Sequence, residues 1–309
     1  MFDMQGTTYK VGGTETESPD HLNPSPSPFR YPPPPMQPPN TSLVRRLTDT
    51  YLTATRQETD EASDRYRAAT PPALADRHAT IVLLTSVVVL LITNFGTDWR
   101  WIAGIGGFLG ADAADAPFTT ADTAQFSRLV WWAVVQISAY VGLPLLAIRY
   151  GLNGKPVDFG AFRSIKHARV YLGLLAISIP VVIAVSFTDG FQAKYPFYEL
   201  AAGEGFWPYL WIWWVLYGLQ FVALEFFFRG FMVHGLKHRF GYMAVIIMVV
   251  PYTMIHFRKP LLEAIGAIFG GTILGTMSLK TRSVWWGAAL HVTIAGTMDI
   301  LSLAHQGLL

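Results

Sequence analysis

The sequence predicts an all-α fold, a polytopic membrane helical bundle of about seven transmembrane helices behind a disordered Pro-rich tail. Three observations carry this. Charged residues are only 14% of the chain, against roughly 25% in an average soluble domain. Several apolar runs approach the ~20 residues that cross a bilayer. The first 40 residues, by contrast, are polar and rich in proline, with no apolar stretch of the kind a secretory signal needs.

Taken in order, residues 1–40 (including NPSPSPFRYPPPPMQPPN) cannot bury enough surface to fold, and Pro32 to Pro35 favour extended polyproline II. The segment is either a plain disordered tail or a ligand for a proline-binding partner. Residues 41–78 form a juxtamembrane helical segment. Leu43, Val44, Leu47, Tyr51 and Leu52 recur at helical spacing, with Arg45, Arg46 and Arg56 nearby. That helix could lie on an anionic membrane surface or pack on the protein. Pro71 and Pro72 mark a break before the first span.

Residues 79–309 form the transmembrane domain. Its expected spans are 79–95, 128–148, 169–187, 207–233, 242–257, 260–279 and 283–304, of which the fifth is short. WIAGIGGFLG at 101–110 is too short and glycine-rich to cross, and reads as an interfacial or re-entrant piece. Arg65, Arg67, Arg77, Arg149, Lys155, Lys237, Arg239, Lys280 and Arg282 fall in one set of flanking segments, and mostly acidic residues fall in the other. The positive-inside rule then places the N-terminus in the cytoplasm. The formal charge of +2 is too small to point to nucleic acid. With no cysteine, disulfides, Cys-ligated zinc and a thiol nucleophile are excluded.

The functional signal lies at 205–305. Glu225 and Arg229 sit one turn apart on the fourth span and can pair. His256 ends the fifth span. Pro260 opens the sixth with Glu263 in its first turn, and His291 and Asp299 lie on the seventh. At a rise of about 1.5 Å per residue these six groups fall in one band, roughly 12–26 Å from the cytoplasmic ends. The first three spans lack such a set. Ionisable groups at membrane depth mark a functional site by default, although a Glu–Arg pair or a lone His can also be purely structural.

The chemistry available to such a set is general acid–base work. A Glu takes a proton from water while a His orients it, and a second His stabilises the oxyanion that forms as water attacks a carbonyl. Alternatively Glu225, His256 and His291 make the two-His, one-Glu set of some catalytic zinc sites, so Zn2+ is a possible cofactor. No HExxH motif accompanies it.

The stretch 223–303 resembles the CPBP (Abi, or type II CAAX-protease) family of intramembrane endopeptidases. That family carries Glu-Glu-x-x-x-Arg on one span, Phe-x-x-x-His on the next and His-x-x-x-Asn on a later one. Here the counterparts are LEFFFRG with its Arg at Arg229, YTMIH ending at His256, and HVTIA beginning at His291. Leu224 stands where the family has its first Glu, Ala295 where it has Asn, and Tyr252 where it has Phe. HFRKPLLE, from His256 to Glu263, resembles a bacterial subgroup with a single-Glu EFFFRG motif.

The resemblance implies Glu225, His256 and His291 as catalytic, with Arg229, Tyr252, Glu263 and Asp299 supporting. Either Glu263 or Asp299 is expected to replace the missing carboxylate. The expected protein is an intramembrane endopeptidase of a bacterial cytoplasmic membrane, with the lipid bilayer around it, cutting a membrane-associated protein or peptide near the bilayer surface. The rival readings are an inactive family member that binds or scaffolds a membrane partner, and a proton-coupled transporter.

Overall fold

A computed structural model describes residues 42–108, 116–119, 123–161, 164, 167–200 and 203–309. The expected tail at 1–40 lies outside the described residues. Among the described residues there is no β-strand. One isolated antiparallel bridge joins Ala161 to Ser283.

The main helices are α1 (43–69), α2 (Pro72–Gly96), α3 (Arg100–Phe108), α4 (Ala124–Gly151), α5 (Ala168–Ser186), α6 (Tyr209–Phe240), α7 (Met243–Met254), α8 (Leu261–Thr281) and α9 (Trp285–His305). Six of them, α2, α4, α5, α6, α8 and α9, are long and apolar enough to cross a membrane. The chain is thus built as a polytopic helical bundle of an integral membrane protein.

Two elements differ from expectation in instructive ways. The first span does not begin at 79 but at Pro72, because proline suits the first helical position and starts this helix rather than interrupting the chain before it. The fifth, α7, has only 12 residues. It rises about 18 Å, short of the ~30 Å hydrocarbon layer. Its helix stops at Met254, and a turn over 255–260 follows it and carries His256.

α1 resolves one alternative left open by its sequence. Its C-terminal half packs on the bundle. Ser63 Oγ donates to the His238 carbonyl at 3.1 Å, the Tyr242 amide donates to Asp60 at 2.7 Å, and Lys280 Nζ donates to Glu58 at 3.0 Å. Its first turn leaves Leu43 and Val44 exposed. α3 is a nine-residue helix with Trp101, Ile105 and Phe108 exposed.

The core is built around α6. Phe227, Phe228 and Phe231 are fully buried, with Tyr140 of α4 stacked on Phe227 and Phe159 on Phe231. Lipid tails are as apolar as phenylalanine, so this packing is held by close van der Waals contact rather than by exclusion of water. α7 and α8 approach closely along Gly271 and Gly275, spaced as small-xxx-small. A β-carbon at Gly275 would lie 2.9 Å from Val245, and one at Gly271 would lie 3.0 Å from the Tyr252 ring. That contact sets the position of Tyr252.

Candidate active site

Inside α6 the backbone widens into a π-turn over Phe226–Met232. Such turns leave the regular hydrogen-bond ladder and are frequent at functional sites. The carbonyl of Arg229 accepts a hydrogen bond from α8, where Ser278 Oγ donates to it at 3.0 Å. The turn presents Glu225 and Arg229 to each other. Arg229 Nη1 meets Glu225 Oε1 at 3.0 Å, and both side chains are fully buried. Tyr252 covers the guanidinium, with its ring centroid 3.8 Å from Cζ. A cation on a desolvated aromatic face gains about 2 kcal/mol. Removing one partner of a buried pair costs about 3–5 kcal/mol, because the other charge is left uncompensated.

α9 adds His291. Its Nδ1 lies 3.1 Å from Glu225 Oε1. A carboxylate only accepts, so Nδ1 carries the proton and donates. The ring packs against Phe221 at 4.4 Å between centroids. Glu225 is fully buried while His291 lines a cavity, so the imidazole, not the carboxylate, reaches it. Gly287, one turn before His291, makes room for the carboxylate, since a β-carbon there would lie 2.8 Å from Glu225 Oε2.

His256 reaches the same cavity from the turn after α7. Its Nδ1 lies 2.8 Å from the Tyr252 carbonyl, which also only accepts. Both histidines therefore engage the bundle through Nδ1 and keep Nε2 for the cavity. Tyr252 links the two halves. Its ring stacks on Arg229 and its carbonyl fixes His256.

Glu263 and Asp299 are placed differently. Tyr195 Oη donates to Glu263 at 2.8 Å, and Lys259 Nζ lies 2.8 Å from Tyr195 Oη and 3.4 Å from Glu263. Trp214 Nε1 donates to Asp299 at 3.2 Å. Neither carboxylate has a hydrogen bond to His256 or His291 among those of the described residues. Burial pushes Tyr195 above the usual phenol range, and the neighbouring carboxylates push it further. Burial likewise lowers Lys259, against the pull of Glu263. Tyr195 and Lys259 have no counterpart in the residues selected from sequence. They sit in loops, where no periodicity marks them.

The cavity measures about 1060 Å³ and is lined mainly by apolar side chains of α2, α5, α6, α8 and α9. Leu224 and Ala295 are both on its wall. So are two polar residues that sequence reasoning passed over, Gln136 of α4 and Gln220 of α6. The polar lining is therefore not confined to the last four spans. An amide within an apolar span is itself the signal that would have found them.

Among the described residues no three His, Asp or Glu side chains are placed to hold one metal ion. Glu225 turns its Oε1 to Arg229 and His291, and His256 turns to Tyr252. The two-His, one-Glu set does not fit a zinc ion in this arrangement.

Residues 206–297 match the family model of type II CAAX prenyl endopeptidase Rce1-like. The match covers Glu225, Arg229, Tyr252, His256, Glu263 and His291, and ends before Asp299. It supports a CAAX-type intramembrane protease at the level of the family. No curated protein and no solved structure matches the chain.

Proposed function

We propose that this protein is an intramembrane endopeptidase that hydrolyses a peptide bond of a membrane-associated protein or peptide, with His256 and His291 as the catalytic pair. The observation that carries the reading is two imidazoles lining one cavity, each tied back through Nδ1, one to a carbonyl and one to a buried carboxylate.

In this reading neutral His256 takes a proton from water at Nε2, and the water oxygen attacks the substrate carbonyl. His291, positioned by its hydrogen bond to Glu225, contacts the oxyanion through Nε2. The proton on His256 then passes to the leaving nitrogen as the C–N bond breaks, which gives one new carboxylate and one new amine. Glu225 is a positioning residue. It orients His291 through Nδ1, and Arg229 pairs with Glu225 and holds it in place. Tyr252 seats both Arg229 and His256. Glu263 and Asp299 hold Lys259, Tyr195 and Trp214 in place and move no proton. The single-Glu EFFFRG pattern, a bacterial cytoplasmic membrane and a cytoplasmic N-terminus belong to the same proposal, on the sequence and the loop charges.

The test is proteolysis by purified protein in liposomes against a pool of apolar membrane peptides, read by mass spectrometry. Wild type is expected to produce defined cleavages. His256→Ala should slow them by about 10²–10⁴-fold, as for a lost general base, and His291→Ala by about 10²–10³-fold, as for a lost oxyanion donor. Wild type that cleaves nothing, while a membrane protein co-purifies with it, would replace this proposal with the binding or scaffold reading.

A further inference from the structure

The segment between α5 and α6 carries Asp189, Glu199 and Glu204, and Lys194 is its one basic residue. Arg258 and Lys259 follow one another in the turn after α7. These cations stand at an end of the bundle whose flanking segments are mostly acidic. The fold brings the two lysines together. Lys194 Nζ lies 5.3 Å and Lys259 Nζ 4.5 Å from the centroid of the same Phe197 ring. Both are within cation–π reach of one face or edge, so the ammonium groups stand within about 10 Å of each other. Burial lowers Lys259, and repulsion from Lys194 adds to the lowering.

All three cations belong to the wall of the cavity, and Glu263 is its one carboxylate among the described residues. Asp299 acts on Lys259 from outside that wall. The cations can be reached: Arg258 is exposed, Lys194 is half-buried and the Lys259 side chain is 20% exposed. Lys259 also adjoins the proposed chemistry. Its amide donates to the His256 carbonyl at 2.9 Å, so ammonium and imidazole belong to the two ends of one turn.

A lysine at a membrane edge usually lays its stem on apolar surface and puts its charge in water. Lys194 and Lys259 instead place their charges over rings, on the wall of a mainly apolar cavity. Low-dielectric walls strengthen the attraction of such charges for an anion and concentrate it there. An ammonium has three donors, so Lys259 can serve Glu263, Tyr195 and a further acceptor together. A lipid headgroup stays at the bilayer surface and would meet Arg258 first. An anion carried into the cavity on an apolar chain meets the two lysines.

We infer that Lys194, Arg258 and Lys259 form a carboxylate-binding subsite, which holds an acidic side chain of an otherwise apolar peptide segment in the cavity. Its place beside a scissile bond rests on the peptidase reading; the binding of the acidic peptide does not. The subsite selects among apolar segments by the position of one negative charge and so sets the register of the bound chain.

The experiment uses the full-length protein in phosphatidylcholine nanodiscs and NBD-labelled apolar decapeptides, capped at both ends, with one glutamate walked along the sequence. The reference peptide carries glutamine instead. Binding is measured on His256→Ala protein, which stops turnover, and cleavage of the same peptides by wild type is mapped by mass spectrometry. The best-placed glutamate should bind about tenfold more tightly than glutamine, as for a charge-assisted hydrogen bond. In that background Lys194→Gln and Lys259→Gln should each remove most of the preference and leave the glutamine peptide unchanged, while Glu263→Gln should increase it. Moving the glutamate by one residue should move the cleavage by one residue. Equal binding of glutamate and glutamine peptides, or a preference that survives in both lysine variants, would overturn the inference. So would equal weakening of both peptides, cleavage that stays fixed as the glutamate moves, or a response to added phosphatidylglycerol in place of peptide charge. Preference for glutamate without any cleavage by wild type would keep the subsite and reject the peptidase reading alone.

Discussion

Oε1 of Glu225 is shared: it lies 3.0 Å from Nη1 of Arg229 and 3.1 Å from Nδ1 of His291. One buried oxygen thus couples the stability of α6 to the orientation of a histidine on α9. The two effects can be separated.

Glu225→Gln keeps the shape but leaves the Arg229 charge uncompensated, so it should destabilise the protein by about 3–5 kcal/mol. It should also cut cleavage by about 10²–10³-fold, because His291 loses the carboxylate that orients it toward the oxyanion. The double variant Glu225→Gln/Arg229→Met removes the stranded charge. It should regain most of the lost thermal stability in detergent and none of the activity. Recovery of both together would mean that Glu225 acts on the fold and not on His291. Glu225→Asp, which keeps the charge, should restore part of the rate.

Gly287 offers a test that leaves every charged group in place. An alanine β-carbon there would lie 2.8 Å from Glu225 Oε2 and would force the carboxylate aside. Gly287→Ala should lower kcat at least tenfold with little change in KM, because a small displacement of a positioning group is felt at the reacting atoms. Gly218→Ala is the control. Its β-carbon would meet Val292 at 3.6 Å, an ordinary contact, and its kinetics should match wild type.

These relationships mark where the sequence was legible and where it was not. The span pattern and the Glu225–Arg229 pair follow from local periodicity, since residues four apart share a helix face. The likeness of 223–303 to a protease family agrees with the match over 206–297. Depth along a helix axis placed six ionisable groups in one band, but it carries no information about rotation around that axis. It therefore could not separate the Glu225–Arg229–His291 cluster from the Glu263–Lys259–Tyr195 cluster. The π-turn at Phe226–Met232 leaves no mark in periodicity either. The helical extent of α7 was overestimated because Ile255, His256 and Phe257 continue its apolar pattern. The restriction that Pro260 imposes on its preceding residue favours the turn instead.

Glu263 and Asp299 are the natural substitutes for the carboxylate that Leu224 lacks, and their hydrogen bonds argue for another role. Asn can still accept from Trp214, so Asp299→Asn should cleave within about threefold of wild type. Glu263→Gln keeps an acceptor for Tyr195 and removes the partner of Lys259. It should likewise stay within about threefold in kcat. Cleavage assays of both single variants and of the pair decide this. A loss above about a hundredfold in either, with unchanged thermal stability, would make that carboxylate a general base.

The contact between α7 and α8 positions Tyr252, and through it His256 and Arg229. At Gly275 a β-carbon would stand 2.9 Å from Val245 Cγ1 and 3.0 Å from Met248 Cε. Both neighbours are fully buried. Overpacking at such a site costs about 1–3 kcal/mol. Gly275→Ala should lower the melting temperature in detergent and reduce cleavage, because α7 must move outward and carry the His256 turn with it. The clash has a specific remedy. Val245→Ala removes the nearest methyl groups, so the pair Gly275→Ala/Val245→Ala should regain stability and activity together, more than the two single effects would add to. Additive losses would show that α7 is positioned by something other than this glycine contact.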